Sequence, residues 1–253
     1  MRLRTHSAIS LLCVVTLPLI GCLAGMQNAR DYSSFLNYAS AANGATVEVS
    51  RENRLHPSHT LINGIKDSET WNGGEGWEAY FKGLLDSRID NTRWSYGRYG
   101  MDRQDRGLGY SAMGWILIRF PEPERINRVV IYTIDSTDMP SRKYGVRDIW
   151  VQYAQPTGEW LTVDRTDKTK KQNKNLIYDN QSGVVVFNFK PVTTEKIRIA
   201  IRGTNDMKRY SNYGSSRGYR YNVEGTIRLL EIEAYGFGRA TTTMVDTQEL
   251  PGF

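Results

Sequence analysis

The sequence predicts an all-β protein, an antiparallel jelly-roll β-sandwich with one short helical insertion. Three observations predict it. β-Branched and aromatic runs recur between Pro, Gly, Asp and Asn from Trp115 to Gly236. One of them, "KIRIAIR" (196–202), alternates with period two. No long amphipathic helix interrupts the series, and about eight strands without helices favour a sandwich.

The chain opens with "MRLRTHSAISLLCVVTLPLIGCLAG". Arg2 and Arg4 precede an apolar run broken at Pro18. That run is shorter than the roughly 20 apolar residues of a membrane span, and its layout is that of a secretory signal over residues 1–21. The segment "LIGC" resembles the lipobox of bacterial lipoproteins, in which cleavage leaves the cysteine as an acylated N-terminus. The resemblance implies lipidation at Cys22. Leu23 follows where an aspartate is associated with inner-membrane retention, so it points to the outer membrane. Cys13 and Cys22 are the only cysteines, which leaves the mature chain without a disulfide. The net charge of +6 falls to +4 without Arg2 and Arg4, which weakens any case for a polyanion partner. Residues 22–43 are small, polar and weakly patterned, and predict a flexible tether.

The domain is expected over residues 44–236, beginning with the alternation of "GATVEVS". In "GWEAYFKGLLDSR", Trp77, Tyr80, Phe81, Leu84 and Leu85 fall at 3–4 spacing and predict a short helix. The strands expected next are 115–120, 126–134, 147–154, 159–163, 183–189, 196–202 and 226–236. In "KIRIAIR", Ile197, Ile199 and Ile201 should face the core, with Arg198 and Arg202 in water. The tail 237–253 predicts disorder.

The order of these elements resembles the discoidin domain, also called the coagulation factor V/VIII type C domain, and related galactose-binding-like carbohydrate-binding modules. "ATVEVS", then "TLINGI" or "DNTRWSYG", then "GWILIRFPEPERINRVVIY" and "IRLLEIEAYG" carry the resemblance. The closing stretch matches best, at Leu229, Glu231, Ile232, Tyr235 and Gly236. Asn63-Gly64 stands where the family has Asp-Gly, and Arg119-Phe120-Pro121 replaces Asp-Leu-Gly. Either Trp71 or Trp94 occupies the family tryptophan position, and "NTRW" fits the usual Thr-x-Trp better. The resemblance implies a non-catalytic jelly roll that binds glycans, phospholipid headgroups or proteins through loops at one end. It also implies a structural calcium, held by Glu231 with Asn63, Thr92 and either Asp67 or Asp90. Calcium takes 6–8 oxygen ligands.

Catalytic patterns fail on their flanks. "GSSRG" fits G-x-S-x-G at Ser216, but no histidine follows it, as a hydrolase triad would require. "GLGYSA" lacks a preceding buried strand, so it is not a dinucleotide loop. His56 and His59, in "HPSH", have no third metal ligand nearby in sequence.

The stretch "KRYSNYGSSRGYRYNVEG" (208–225) has a single aliphatic residue and reads as an exposed loop. It offers Arg209, Tyr210, Tyr213, Arg217, Tyr219, Arg220 and Tyr221, and "RWSYGRYG" adds Trp94, Tyr96, Arg98 and Tyr99. Aromatic faces stack on the C–H face of a sugar, and guanidinium groups donate to hydroxyls or carboxylates. Single-stranded nucleic acid uses the same residue types, but an exported protein rarely meets it. The sequence therefore points to a membrane-anchored carbohydrate-binding module. The alternative is an envelope scaffold or adhesion protein whose loops bind another protein.

Overall fold

The structure, a computed structural model, describes residues 36–86, 112–167, 175–212 and 220–236; at 84, 86, 211, 212, 220 and 221 the backbone alone is described. The described strands are β1 (Thr46–Val49), β2 (Trp77–Asp86), β3 (Gly114–Thr133), β4 (Val146–Ala154), β5 (Trp160–Thr162), β6 (Val184–Thr204), β7 (Lys208–Asn212) and β8 (Arg220–Gly236). They pair antiparallel in the order β2-β8-β3-β6-β4-β5, with β1 on β3 and β7 on β8. A single helical turn, α1 (Ser141–Tyr144), and short 3-10 turns fill connections. The fold is the expected antiparallel β-sandwich.

Three long strands build it. The runs expected at 115–120 and 126–134 are one strand, β3, whose register breaks between Arg119 and Glu124. Pro121 and Pro123 lie at that break and cannot donate to a ladder. Before it β3 pairs with β1 and β6, and beyond it with β6 and β8. Inner side chains from both sides of the break join one core, with Ile116 and Ile118 meeting Val129, Ile131, Ile197, Ile199, Ile201, Ile227 and Ile232. Burial of each isoleucine contributes about 1.5–3 kcal/mol.

Small register shifts decide which side chains face out. On β8, Val223, Ile227 and Leu229 point to the core, whereas past Leu230 the core residues are Ile232 and Ala234. The shift lies opposite Tyr132 and Thr133, which pair with Glu231 and Leu229. The skipped residue, Leu230, reverses the parity and turns Glu231 and Glu233 away from the main core.

Four expectations are corrected. The predicted helix is strand β2, because Trp77, Ala79 and Leu85 are buried with period two while Glu78, Tyr80 and Lys82 lie outside or at the surface. The domain begins before Gly44: Tyr38 N donates to Ala234 O at 2.8 Å, Ala234 N donates to Asn37 Oδ1 at 3.0 Å, and Ala39 is buried. The ends of the 208–225 stretch are strands, β7 and the start of β8. Arg198 and Arg202 are buried instead of solvated, with Arg198 only 1% exposed. The guanidinium of Arg198 donates to Gln152 Oε1 from Nε at 3.0 Å and from Nη2 at 2.7 Å, and lies 4.4 Å from the Trp160 ring.

Candidate functional site

Strands β2, β8 and β7 lie side by side and expose one face. Their register sets Lys82 opposite Glu224 and Glu224 opposite Lys208, with Tyr80 opposite Thr226. The alternation that buries Val223 and Ile227 aims Glu224 outward. On β7 the register slips between Arg209, opposite Val223, and Ser211, opposite Asn222. Tyr210 is the extra residue of this bulge, and a bulge re-aims the side chain it leaves unpaired.

Tyr210 is 55% exposed and Tyr80 49%. Lys82 Nζ lies 5.7 Å from the Tyr210 ring centroid and 3.2 Å from Glu224 Oε2. Glu224 accepts hydrogen bonds from Tyr210, Lys82 and Tyr80, which hold its carboxyl below the usual range. The same bond to Glu224 raises the Tyr210 phenol. Arg51 donates to the Tyr80 carbonyl and fixes the backbone beneath that ring. Two tyrosine faces therefore flank one carboxylate and one ammonium on an open surface. Such a set can stack on an apolar sugar face while donating to and accepting from its hydroxyls.

Of the predicted binding residues, Tyr210 stands here, exposed; Arg209 is exposed too, but it pairs with the core-facing Val223, so its register puts it on the other side of the sheet from Glu224. Arg220 and Tyr221 open β8, paired with Asp86 and Leu85, with only their backbone described. Trp94, Tyr96, Arg98, Tyr99, Tyr213, Arg217 and Tyr219 lie outside the described residues, as do Cys22 and Ser216. The sequence reading missed Tyr80, Lys82 and Glu224. The outward alternation Glu78, Tyr80, Lys82 is the signal that finds the first two once the segment is taken as a strand.

A second cluster joins the turn after Ile62 to the closing strand. Asn63 Oδ1 accepts from Ile65 N at 2.9 Å and its amide donates to Glu75 Oε2 at 2.8 Å. Gly64 has φ +89, a conformation that favours glycine, and its N–H donates to Glu231 Oε2 at 3.1 Å. Glu231 is fully buried, and burial pushes its carboxyl up to about 8. Glu231 Oε1 is buried without a hydrogen-bond partner, so no donor there supports the charged form. Two residues along, Glu233 Oε1 meets Lys66 Nζ at 2.5 Å, and Glu233 Oε2 accepts from the Tyr132 hydroxyl at 3.0 Å. Burial works against the Lys66 charge, but Glu233 holds its pKa above the usual lysine value.

The described residues do not fit calcium. Asp67 is exposed and caps its own 3-10 turn through Glu69 N at 3.0 Å. Asn63 Oδ1 accepts from Ile65 N, and Glu231 Oε2 accepts from Gly64 N, so the two described residues that meet here are joined by hydrogen bonds of the turn. Asp90 and Thr92 lie outside the described residues. Among the described residues no group of three or more His, Cys, Asp or Glu could hold a metal ion. His56 stacks on Trp71 with ring centroids 4.1 Å apart, which makes it part of the packing.

No family model matches the chain, and no curated protein does. Among solved structures it is similar to the family 32 carbohydrate-binding module of Streptococcus pneumoniae EndoD. The two are 15% identical over 80% of this chain and 100% of that one, with a TM-score of 0.47. It is similar to a fucose-binding module from Streptococcus pneumoniae, SpX-3, at 11% identity over 80% of this chain and 99% of that one, with a TM-score of 0.46. It is also similar to the family 32 module of Clostridium perfringens NanJ, solved with galactose, at 12% identity over 76% of this chain and 93% of that one. The TM-score there is 0.41.

Proposed function

We propose that this chain is a non-catalytic carbohydrate-binding module that holds sugar on the exposed face of β2, β7 and β8. The observation that carries the reading is the exposure of Tyr80 and Tyr210 around the Lys82–Glu224 pair. The hydroxyls and Glu224 accept from sugar hydroxyls, Lys82 donates, and the rings cover the C–H face. Lys208, exposed on the neighbouring strand opposite Glu224, extends the polar rim. In the same proposal Cys22 carries the acyl anchor and keeps the domain outside the cytoplasm, at the outer membrane. The binding test is a glycan array probed with the full chain, with galactose and fucose, named for the similar modules, as first ligands. Binding that Tyr210→Ala and Tyr80→Ala both lose supports the reading. An array without hits, beside a specific protein partner recovered in a pull-down, replaces it with the scaffold alternative. The anchor test is Cys22→Ala, which should leave an unprocessed precursor; maturation and detergent partitioning like the wild type reject the anchor.

A further inference from the structure

The geometry points to Lys66 as the cation that ties the Asn63–Lys66 turn to the closing strand, in the place where a metal-dependent sandwich would use an ion. Glu231 and Glu233 lie two apart on β8, so they share one face, and the shift at Leu230 turns that face toward the turn. Two carboxyl groups so placed, one 0% and the other 4% exposed, demand compensation. A metal ion would supply it, and would need further carbonyl and carboxylate oxygens facing inward. This turn does the opposite and presents donors. The Gly64 N–H donates to Glu231, and the Lys66 ammonium meets Glu233 at 2.5 Å.

Local chemistry fixes that polarity. Asn63 Oδ1 closes the turn on Ile65 N, and Gly64 takes the left-handed conformation that aims its N–H at the strand. Lys66 then crosses the Tyr132 ring, 5.1 Å from its centroid, and Tyr132 donates to the second oxygen of Glu233. The aromatic face and the carboxylate together leave the ammonium a site of its own charge type. An ammonium with three donors fills this position without any further oxygen.

The test uses the full chain. Wild-type protein should melt at the same temperature with EDTA, without it, and with added calcium chloride, and elemental analysis should find no stoichiometric metal. A native-state metal ligand would instead raise the melting temperature, and chelation would lower it. Lys66→Met should lower the melting temperature by several degrees, because it leaves Glu233 buried and uncompensated. Adding Glu233→Gln to Lys66→Met should recover part of that loss. A chelator-sensitive wild type, a bound metal, or a Lys66→Met variant that melts like the wild type would each overturn the assignment. Should Lys66→Met fail to fold, the chelator and elemental measurements on the wild type still decide it.

Discussion

Two outer faces of this sandwich carry the same residue types and do opposite things with them. On β4 and β6, Arg198 pairs across strands with Gln152 and Ala200 with Trp150, and Trp160 of β5 lies against Arg198. This face is buried: Leu176 packs with Ala112, Trp150 and Ala200, and Trp115 and Tyr178 flank them. On β2, β7 and β8 the equivalent chemistry, Tyr80, Lys82, Lys208, Tyr210 and Glu224, stands at the surface. Arginine beside an aromatic ring is therefore no signature of a binding site. What decides is whether another part of the chain covers it.

The same contrast runs along a single strand. Glu224 and Glu231 both point outward from β8, but Glu224 is partly exposed and Glu231 is fully buried. Hydrogen bonds from Tyr210 and Lys82 lower the first, and burial raises the second to about 8. A carboxyl raised in the folded state contributes its full stability below its unfolded value of 4.5, and that contribution is lost as pH rises toward 8. Within that window each pH unit lowers stability by up to about 1.4 kcal/mol. Glu231→Gln cannot ionise and should flatten this dependence. Denaturant unfolding of both proteins across the window measures it, and parallel curves would mean that Glu231 titrates like an exposed acid.

On the covered face, Arg198→Ala should cost about 2–4 kcal/mol, since it strips Gln152 of its donor and leaves Trp160 against a void. Gln152 is itself buried, so water cannot easily replace the lost bonds. A variant as stable as the wild type would make the two faces alike, with their cations equally dispensable.

The core strands were legible because their pattern is local. Ile197, Ile199 and Ile201 alternate without ambiguity and all are fully buried. Strand β2 was not, because its apolar residues fit helical spacing at Trp77, Tyr80, Phe81 and Leu84 as well as period two at Trp77, Ala79, Phe81 and Leu85. Its pairing with β8, far along the chain, as between Ala79 and Ile227, selects the strand. Alternation placed Arg198 on the outer side correctly, but it carries no information about what covers that side. Glu231 was found through the closing motif. Lys66 was missed because its role depends on the turn at Asn63 and Gly64 and on a shift at Leu230, neither of which a strand pattern records.

The smallest expected effect on stability falls on the residue that the proposed function needs most. Tyr210 sits at a bulge, with its ring 55% exposed and its hydroxyl donating to Glu224. Nothing of the core depends on such a ring, because Val223 and Ile227 of the same hairpin carry the burial. Tyr210→Ala should therefore leave the melting temperature within about 2 °C of the wild type. Sugar affinity should meanwhile fall about tenfold or more, as the loss of one stacking face and one donor implies. Tyr210→Phe separates those two parts: it keeps the face, frees Glu224 from one hydrogen bond, and should bind between the other two proteins. Titration of a sugar found on the array, with parallel thermal melts, measures both quantities on the same samples. If Tyr210→Ala melts many degrees lower, the ring is structural and the two faces differ less than their exposure suggests. If its melting and its affinity both match the wild type, the sugar binds elsewhere on the chain and this face is only surface.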